Sequence, residues 1–224
     1  LDRLLVLGGG PIGCELAQAF AMLGVRVTQV EMAPRVLIRE DEDAAALVAA
    51  ALRAEGVELL TSTKALRCEV VAGEQRLIVE AGGAERAIAF DTLLVAVGRV
   101  ARTEGYGLEK LGIELTKQRT IAADAFLQTR FPNIYVCGDV VGPYQFTHVA
   151  AHQAWYAAVN ALFGRFKRYK ADYRVIPRVT FTEPEVARVG LSETEAKEQG
   201  IAVEVVRYGL DDLDRAIADE AAHG

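Results

Sequence analysis

The sequence predicts an α/β chain built around a parallel sheet, and three observations carry that expectation. Leu4-Leu5-Val6-Leu7 is an unbroken apolar run that ends in Gly8-Gly9-Gly10 and is followed by apolar residues at helical spacing, Ile12, Leu16, Phe20 and Leu23. A second run, Val25-Arg26-Val27-Thr28-Gln29-Val30, follows Gly24, which stands where a helix ends in the left-handed conformation that glycine favours. Further on, Leu93-Leu94-Val95-Ala96-Val97 is apolar throughout, as expected of a parallel strand covered on both faces.

The glycines of the first turn have chemical consequences. Gly8, Gly10 and Gly13 match G-x-G-x-x-G after a strand and at the opening of a helix, the context that the dinucleotide fingerprint needs. Gly8 permits the tight turn, Gly10 lets a pyrophosphate approach the backbone, and Gly13 lets helix and strand pack closely. Pro11 and Ile12 complete the block and are counted with it as cofactor-binding residues. The helix N-terminus supplies free N–H groups and a partial positive charge for phosphate. Glu31 closes the second strand at the separation expected of the acid that holds a ribose hydroxyl pair.

The remaining elements follow in order. Asp41, Glu42 and Asp43 place acids at the start of a second helix, which runs from Ala44 to Arg53 and ends at Gly56. Val57 to Leu60 reads as a third strand, so three strands and two helices make a right-handed parallel core. Residues 65–71, 77–80 and 87–90 read as short strands separated by Gly73 and Gly82-Gly83, an antiparallel meander. Gly98-Arg99 ends the apolar strand and marks a first domain boundary. Beyond it come a short helix over 108–111, extended pieces over 121–127 and 134–137, and a long helix opening at Phe146-Thr147-His148 and running to Phe163. A polar bridge, Lys167-Arg168-Tyr169-Lys170, marks a second boundary. The tail opens on a strand over 178–181. A helix follows, announced by Ser192 and Glu195 as a capping box with Gly200 beyond its end, and Ile201 to Tyr208 then alternates like an edge strand.

Composition narrows the function. The formal charge is −6 over 224 residues with the two signs mixed, which argues against nucleic acid as the main partner. No apolar run is long enough to cross a bilayer and no export leader precedes the first strand, so a cytoplasmic protein with no membrane partner is expected. Cys14, Cys68 and Cys137 form no metal-ligand spacing and are read as buried, inert thiols of a reducing compartment. His148 and His152 stand at i, i+4 without an evident third ligand, so no metal is expected. The chain begins at Leu1, three residues before a core strand, and stops at Gly224 after an alanine-rich stretch, and is expected to be a piece of a longer protein.

Four blocks in this order and spacing resemble the FAD-dependent pyridine nucleotide-disulfide oxidoreductases, the group of glutathione reductase, dihydrolipoamide dehydrogenase and mercuric reductase. The blocks are Gly8 to Glu15, Val97-Gly98-Arg99, Asn133 to Asp139 continuing into Thr147-His148-Val149-Ala150, and Ile176 to Pro184. Leu210 to Ala216 looks closest to the mercuric reductase branch. The resemblance implies a Rossmann-like nicotinamide domain with an antiparallel meander over 1–98. It further implies the returning part of an FAD domain over 99–168 and the start of an α+β dimerisation domain over 169–224, as a fragment lacking both ends. The cofactors implied are FAD and NAD, with NADP as the alternative, and the partner is a second copy in a homodimer. The full-length enzyme would pass a hydride from NAD(P)H to FAD and electrons on to a disulfide or dithiol-type acceptor. The redox cysteine pair and the terminal histidine–glutamate pair of the family lie outside this chain, so no catalytic residue is expected within it and the fragment alone is expected to be inactive.

The same resemblance assigns residues. Glu15 would stand beside the nicotinamide carboxamide, or serve only as a first-turn acid favouring the helix dipole. Glu31 would bind ribose and repel a 2′-phosphate, while Arg35 stands where a cation could reach such a phosphate. Gly98 and Arg99 would lie at the junction of nucleotide and flavin, although Ala101-Arg102 replaces the Pro-Asn usual in that block. Gly138 and Asp139 would hold the ribityl chain. Thr147 and His148 would open a helix toward the flavin edge, and Val179 would meet the carboxamide through its main-chain carbonyl. Two rivals stay open: a flavoprotein with a single dinucleotide fold that binds FAD at Gly8 to Glu31, and a non-enzymatic dimerisation or binding module of the same fold.

Overall fold

The computed structural model describes residues 1–221, which form two compact units. The first comprises Leu1–Gly98 together with the chain from Pro177 on, and the second comprises Arg99–Ile176.

The first unit is organised on a four-stranded parallel sheet of order β3-β2-β1-β7, with β1 at Arg3–Leu7, β2 at Arg26–Val30, β3 at Glu58–Leu60 and β7 at Thr92–Val95. Helices α1 (Pro11–Met22) and α2 (Glu42–Ala54) join the first three strands. The antiparallel meander β4 (Lys64–Val71), β5 (Glu74–Ala81) and β6 (Ala84–Phe90) precedes β7, which returns to pair with β1 on its free side. Strand β1 shows why its sequence is apolar without alternation. Leu4 and Val6 pack into the cluster with Ala17, Val48 and Leu52 of the helices, whereas Leu5 packs against Leu77 and Val79 of the meander and Phe90. Helices cover one face and the meander covers the other, so Leu4, Leu5 and Val6 are all buried in succession. Each fully buried leucine of this kind contributes about 1.5–3 kcal/mol.

Helix α1 departs from expectation in the face it buries. The apolar stripe read from the sequence is largely outward: Ile12 is 43% exposed and Leu23 is 78% exposed, with only Phe20 of the four packing partly inward. The buried residues are Gly13, Cys14, Ala17 and Gln18. A Cβ built on Gly13 would stand 2.2 Å from the Gly8 carbonyl oxygen, so the helix runs too close to the sheet for large side chains beneath it.

The meander closes on two tight turns, Ala72-Gly73 between Val71 and Glu74, and Gly82-Gly83 between Ala81 and Ala84. All four turn residues have positive φ, the geometry that matches the twist of paired strands. In the tail, β8 (Pro177–Thr180) pairs antiparallel with β9 (Val186–Val189), a strand not foreseen from the sequence. Helix α5 (Glu193–Glu198) carries the expected capping box, with Glu195 N–H donating to Ser192 Oγ and Ser192 N–H donating to Glu195. The strand expected over Ile201 to Tyr208 is absent: those residues are exposed and pair with no other strand among the described residues. A 3-10 turn at Leu210–Asp212 and the short helix α6 (Asp214–Ala218) follow.

The second unit contains α3 (Leu108–Leu111), α4 (Thr147–Phe163) and a small core of Ile113, Ile121 and Val136. The extended pieces expected over 121–127 and 134–137 form only the isolated bridges Leu115–Ile121 and Gln128–Tyr135. Side chains have taken the backbone groups that a ladder would use. Asp124 accepts from the N–H groups of Phe126 and Gln128, and Thr129 engages Phe131 and Ile134. The second compact unit runs on through Ile176, and residues 169–173 are tied to α4. Asn160 brackets Tyr169 through both its N–H and its carbonyl at 2.8 Å, and Gln153 donates to the Tyr173 hydroxyl at 2.9 Å. Among the described residues no helix is long and apolar enough to cross a membrane.

Candidate functional site

The glycine turn between β1 and α1 is held by β2. Gly8 N–H donates to Val30 O at 2.8 Å, and Gly8 has φ +114, where a Cβ would stand 2.5 Å from Ala96 O. At Gly10 a Cβ would meet nothing within 4 Å. A side chain at Gly10 would therefore meet no protein neighbour, and the space beside it is open. Helix α1 starts directly there, with Cys14 N–H donating back to Gly10 O at 3.0 Å. Pro11 occupies the first helical position, where its missing N–H leaves nothing unsatisfied. The N–H groups of the first turn have no partner within the helix, which is the arrangement that binds anions at helix N-termini.

Glu31 lies at the lip of this turn. One carboxylate oxygen accepts from Gly9 N–H at 2.5 Å and the other from Ala33 N–H at 2.6 Å. A Cβ on Gly9 would stand 2.8 Å from Glu31 Cγ, so the middle glycine, which the motif leaves unspecified, is required by the acid. The connector after Glu31 folds back over the turn, and Leu37 N–H donates to Gly9 O at 2.8 Å. Arg35 does not reach toward the site. Its guanidinium donates to the carbonyls of Leu37 and Glu40 at 2.8 Å and of Ile38 at 3.2 Å, which consumes its donors in shaping the connector.

On the outer side of α1, the Glu15 carboxylate accepts from Phe181 N–H at 2.9 Å, just past β8. Glu15 and the strand that bears Val179 are thus brought together, although far apart in sequence. One turn on, the Gln18 amide pairs with both backbone groups of Glu183 at 2.7 Å, a contact with no signature in the sequence. Deeper in the same junction, Arg188 meets Glu40 at 3.1 Å with both side chains 10% exposed, and also binds Glu195.

In the second unit, Gly138 is buried with φ +80 and Asp139 is exposed beside it. Their loop is set by Gln153, which is wholly buried on the inner face of α4. Its Oε1 accepts from Gly138 N–H at 2.6 Å and its Nε2 donates to Gly142 O at 2.5 Å. Sequence reasoning passed over Gln153 and Asn160, because a polar residue on a helix reads as an outward one. Thr147 and His148 open α4 as expected, and the His148 ring stacks on Phe146 with centroids 5.3 Å apart. Arg99 is exposed, with a long 3.5 Å contact to Gln145 O, and Gly98 has φ +116 at the end of the first unit's leading segment.

The thiols differ from the uniform burial expected. Cys14 is buried and its thiol is pushed up to about 12 by that burial, whereas Cys68 and Cys137 are exposed. His152 lies 2.7 Å from Asp172 O, and among the described residues no group of three His, Cys, Asp or Glu side chains is placed to hold a metal ion.

Comparison with known proteins gives this arrangement a family. The sequence model of the family "Pyridine nucleotide-disulphide oxidoreductase" matches residues 1–154, and that of its dimerisation domain matches residues 176–224. A dihydrolipoyl dehydrogenase of Thermus scotoductus is 40% identical over 224 residues, covering 99% of this chain and 48% of the relative. A mercuric reductase of Staphylococcus aureus is 37% identical, covering all of this chain and 40% of the relative. Among solved structures, LpdA of Mycobacterium tuberculosis superposes with a TM-score of 0.88 at 30% identity, over 100% of this chain and 48% of that one. The flavoprotein disulfide reductase RclA of Escherichia coli, in its Cu(II) complex, gives 0.86 at 32% identity, over 100% of this chain and 50% of that one. The chain spans about half the length of the curated relatives it matches. Matched by the family's own model over residues 1–154 and by that of its dimerisation domain over residues 176–224, this chain belongs to the pyridine nucleotide-disulphide oxidoreductases.

Proposed function

We propose that this chain is part of a flavoprotein oxidoreductase that passes a hydride from NAD(P)H to FAD and electrons on to a disulfide or dithiol-type acceptor, with residues 1–98 as its nicotinamide domain. The observation that carries this reading is the Glu31 carboxylate bound to Gly9 N–H beside the open space at Gly10, on the N-terminus of a twelve-residue helix. The residues fit a nicotinamide dinucleotide. Gly8, Gly10, Pro11, Ile12 and Gly13 form the phosphate turn, and Glu31 holds the adenosine ribose. Glu15 and the backbone near Val179 stand on the nicotinamide side. NAD is favoured over NADP because Glu31 repels a 2′-phosphate and the Arg35 guanidinium is spent on backbone carbonyls.

For flavin, Gly138, Asp139, Thr147 and His148 form the ribityl and ring-edge contacts, with Gly98 and Arg99 at the junction. The positive end of α4 favours the charge that accumulates on a reduced flavin. The bound cofactors supply the redox chemistry, and the chain supplies binding, orientation and electrostatics. Domains over 1–98, 99–168 and 169–224, a homodimer formed through the C-terminal part, and a cytoplasmic location belong to the same reading. It draws support from the dimerisation-domain match and the absence of disulfides among the described residues.

Titration of the 224-residue chain with NADH, followed by fluorescence, tests the site. Saturable binding that Gly10→Val weakens by roughly tenfold or more is expected, because the added side chain fills the phosphate space. Equal affinity in that variant would remove the glycine turn from the function and favour a role in dimerisation alone.

A further inference from the structure

We propose that Gln29 is a positioning residue for the dinucleotide turn, its side-chain amide holding the Gly8 carbonyl from beneath and thereby aiming the next N–H at Glu31. The inference rests on the nucleotide-binding reading above. Gln29 is wholly buried on β2, on the same face as Val27, among apolar residues. Its Nε2 donates to Gly8 O at 3.0 Å and lies 3.7 Å from Cys14 Sγ, while its Oε1 is buried without a hydrogen-bond partner among the described residues. A half-satisfied amide is a poor core residue, so its service lies at the satisfied end.

The geometry shows what that end controls. Strand β2 holds Gly8 at both backbone groups, Val30 O taking its N–H and Gln29 capping its carbonyl. Across a trans peptide the carbonyl and the following N–H point in opposite directions. With Gly8 O turned inward onto Gln29, Gly9 N–H is turned to the Glu31 carboxylate, the proposed ribose ligand. The next peptide repeats the arrangement. Gly9 O is held by Leu37 N–H and by the Cys14 thiol at 3.5 Å, so Gly10 N–H is directed to the opposite, open side. Gln29 therefore touches no ligand and acts through the Gly8–Gly9 peptide plane.

Binding of ADP-ribose to the 224-residue chain, measured by calorimetry alongside urea unfolding, tests this. Gln29→Leu keeps the volume and removes the donor. Affinity is expected to fall about fivefold to tenfold, the loss of one hydrogen bond's worth of orientation. The unfolding midpoint should barely move, because the orphaned Oε1 disappears with the amide. Gln29→Glu provides the conservative variant. A buried carboxylic acid can donate to Gly8 O only while protonated, so its affinity is expected to recover as pH falls from about 8 to about 5. The titratable group beside this position is the Cys14 thiol, 3.7 Å from Gln29, on which Glu31 and Glu15 act electrostatically, and the Leu variant at each pH reports their contribution. Wild-type affinity in Gln29→Leu, with Gly10→Val still impaired, overturns the positioning role and leaves the nucleotide site standing. Unchanged affinity in Gly10→Val overturns both. Parallel loss of stability and affinity in the Leu variant, with a flat pH profile for Gln29→Glu, reduces Gln29 to a structural residue and also overturns the proposal.

Discussion

The Glu31 carboxylate, the proposed ribose ligand, accepts two short backbone hydrogen bonds, from Gly9 and Ala33, that fix it at the lip of the turn. Hydrogen bonds to a charged group are worth about 1.5–3 kcal/mol each. In the longer protein, Glu31→Ala is expected to lower the preference for NADH over NADPH in kcat/KM by roughly tenfold to a hundredfold, since ribose binding and 2′-phosphate repulsion are lost together. An enzyme that already favours NADPH would show that another residue decides cofactor choice. The cysteines permit a second test at this scale. Cys68 and Cys137 are exposed and should react with a dithiobis-nitrobenzoate reagent in the native chain, whereas Cys14 should react only on unfolding. Burial raises the Cys14 thiol from its ordinary 9.0 to about 12. The folded chain thus keeps a proton that the unfolded chain releases. Its stabilising share is complete below pH 9 and is lost as pH rises toward 12, so Cys14→Ala should flatten the alkaline fall in unfolding free energy across that window.

At the scale of elements, helix α1 was legible as a helix but not in the face it buries. Periodicity reports where large apolar residues recur, and here they recur on the outside, because close approach at Gly13 leaves only small residues room beneath. The meander was legible in number and order, and its first turn leaves room for improvement. Ala72 adopts φ 50 before Gly73, a conformation that asparagine accepts more readily than alanine. Ala72→Asn should stabilise the chain by about 0.5–1 kcal/mol, seen as a raised urea midpoint. The capping box was read directly from Ser192 and Glu195. Ser192→Ala should cost about 1 kcal/mol locally, seen as faster amide exchange over Glu193–Glu198 with little change in β1 or β2. An unchanged exchange rate there would mean that burial of Ala196, rather than the cap, holds the helix.

At the scale of the whole molecule, the two units carry different parts of the proposed chemistry. The only glycine fingerprint described lies in the first unit, while Asp139 and the α4 N-terminus lie in the second. A flavin held by its ribityl end alone loses most of its binding energy, and this chain spans about half of its relatives. The purified 224-residue chain is therefore expected to be nearly colourless. The longer protein is expected to be yellow and to lose FAD on Asp139→Ala without unfolding of Leu1–Gly98. Stoichiometric flavin absorbance in the 224-residue chain would favour a single dinucleotide fold that binds FAD at Gly8 to Glu31.

The sequence by itself determined the parallel core, the glycine turn, the acid at the end of β2, the long helix at Thr147 and the capping box. Each of these depends on residues adjacent along the chain or spaced by one helical or strand period, so local physics suffices to read it. Tertiary structure alone decided which face of α1 is buried, that Arg35 is consumed by backbone carbonyls, and that a side chain at Gly9, though not at Gly10, would crowd Glu31. It alone decided the pairing of Gln18 with Glu183, the seating of Gln153 and Asn160 inside the second unit, and the lack of a strand over Ile201 to Tyr208. The reason is common to all of them. A buried polar side chain or an unpaired strand is defined by a partner distant in sequence, and neither composition nor periodicity carries that partner's position.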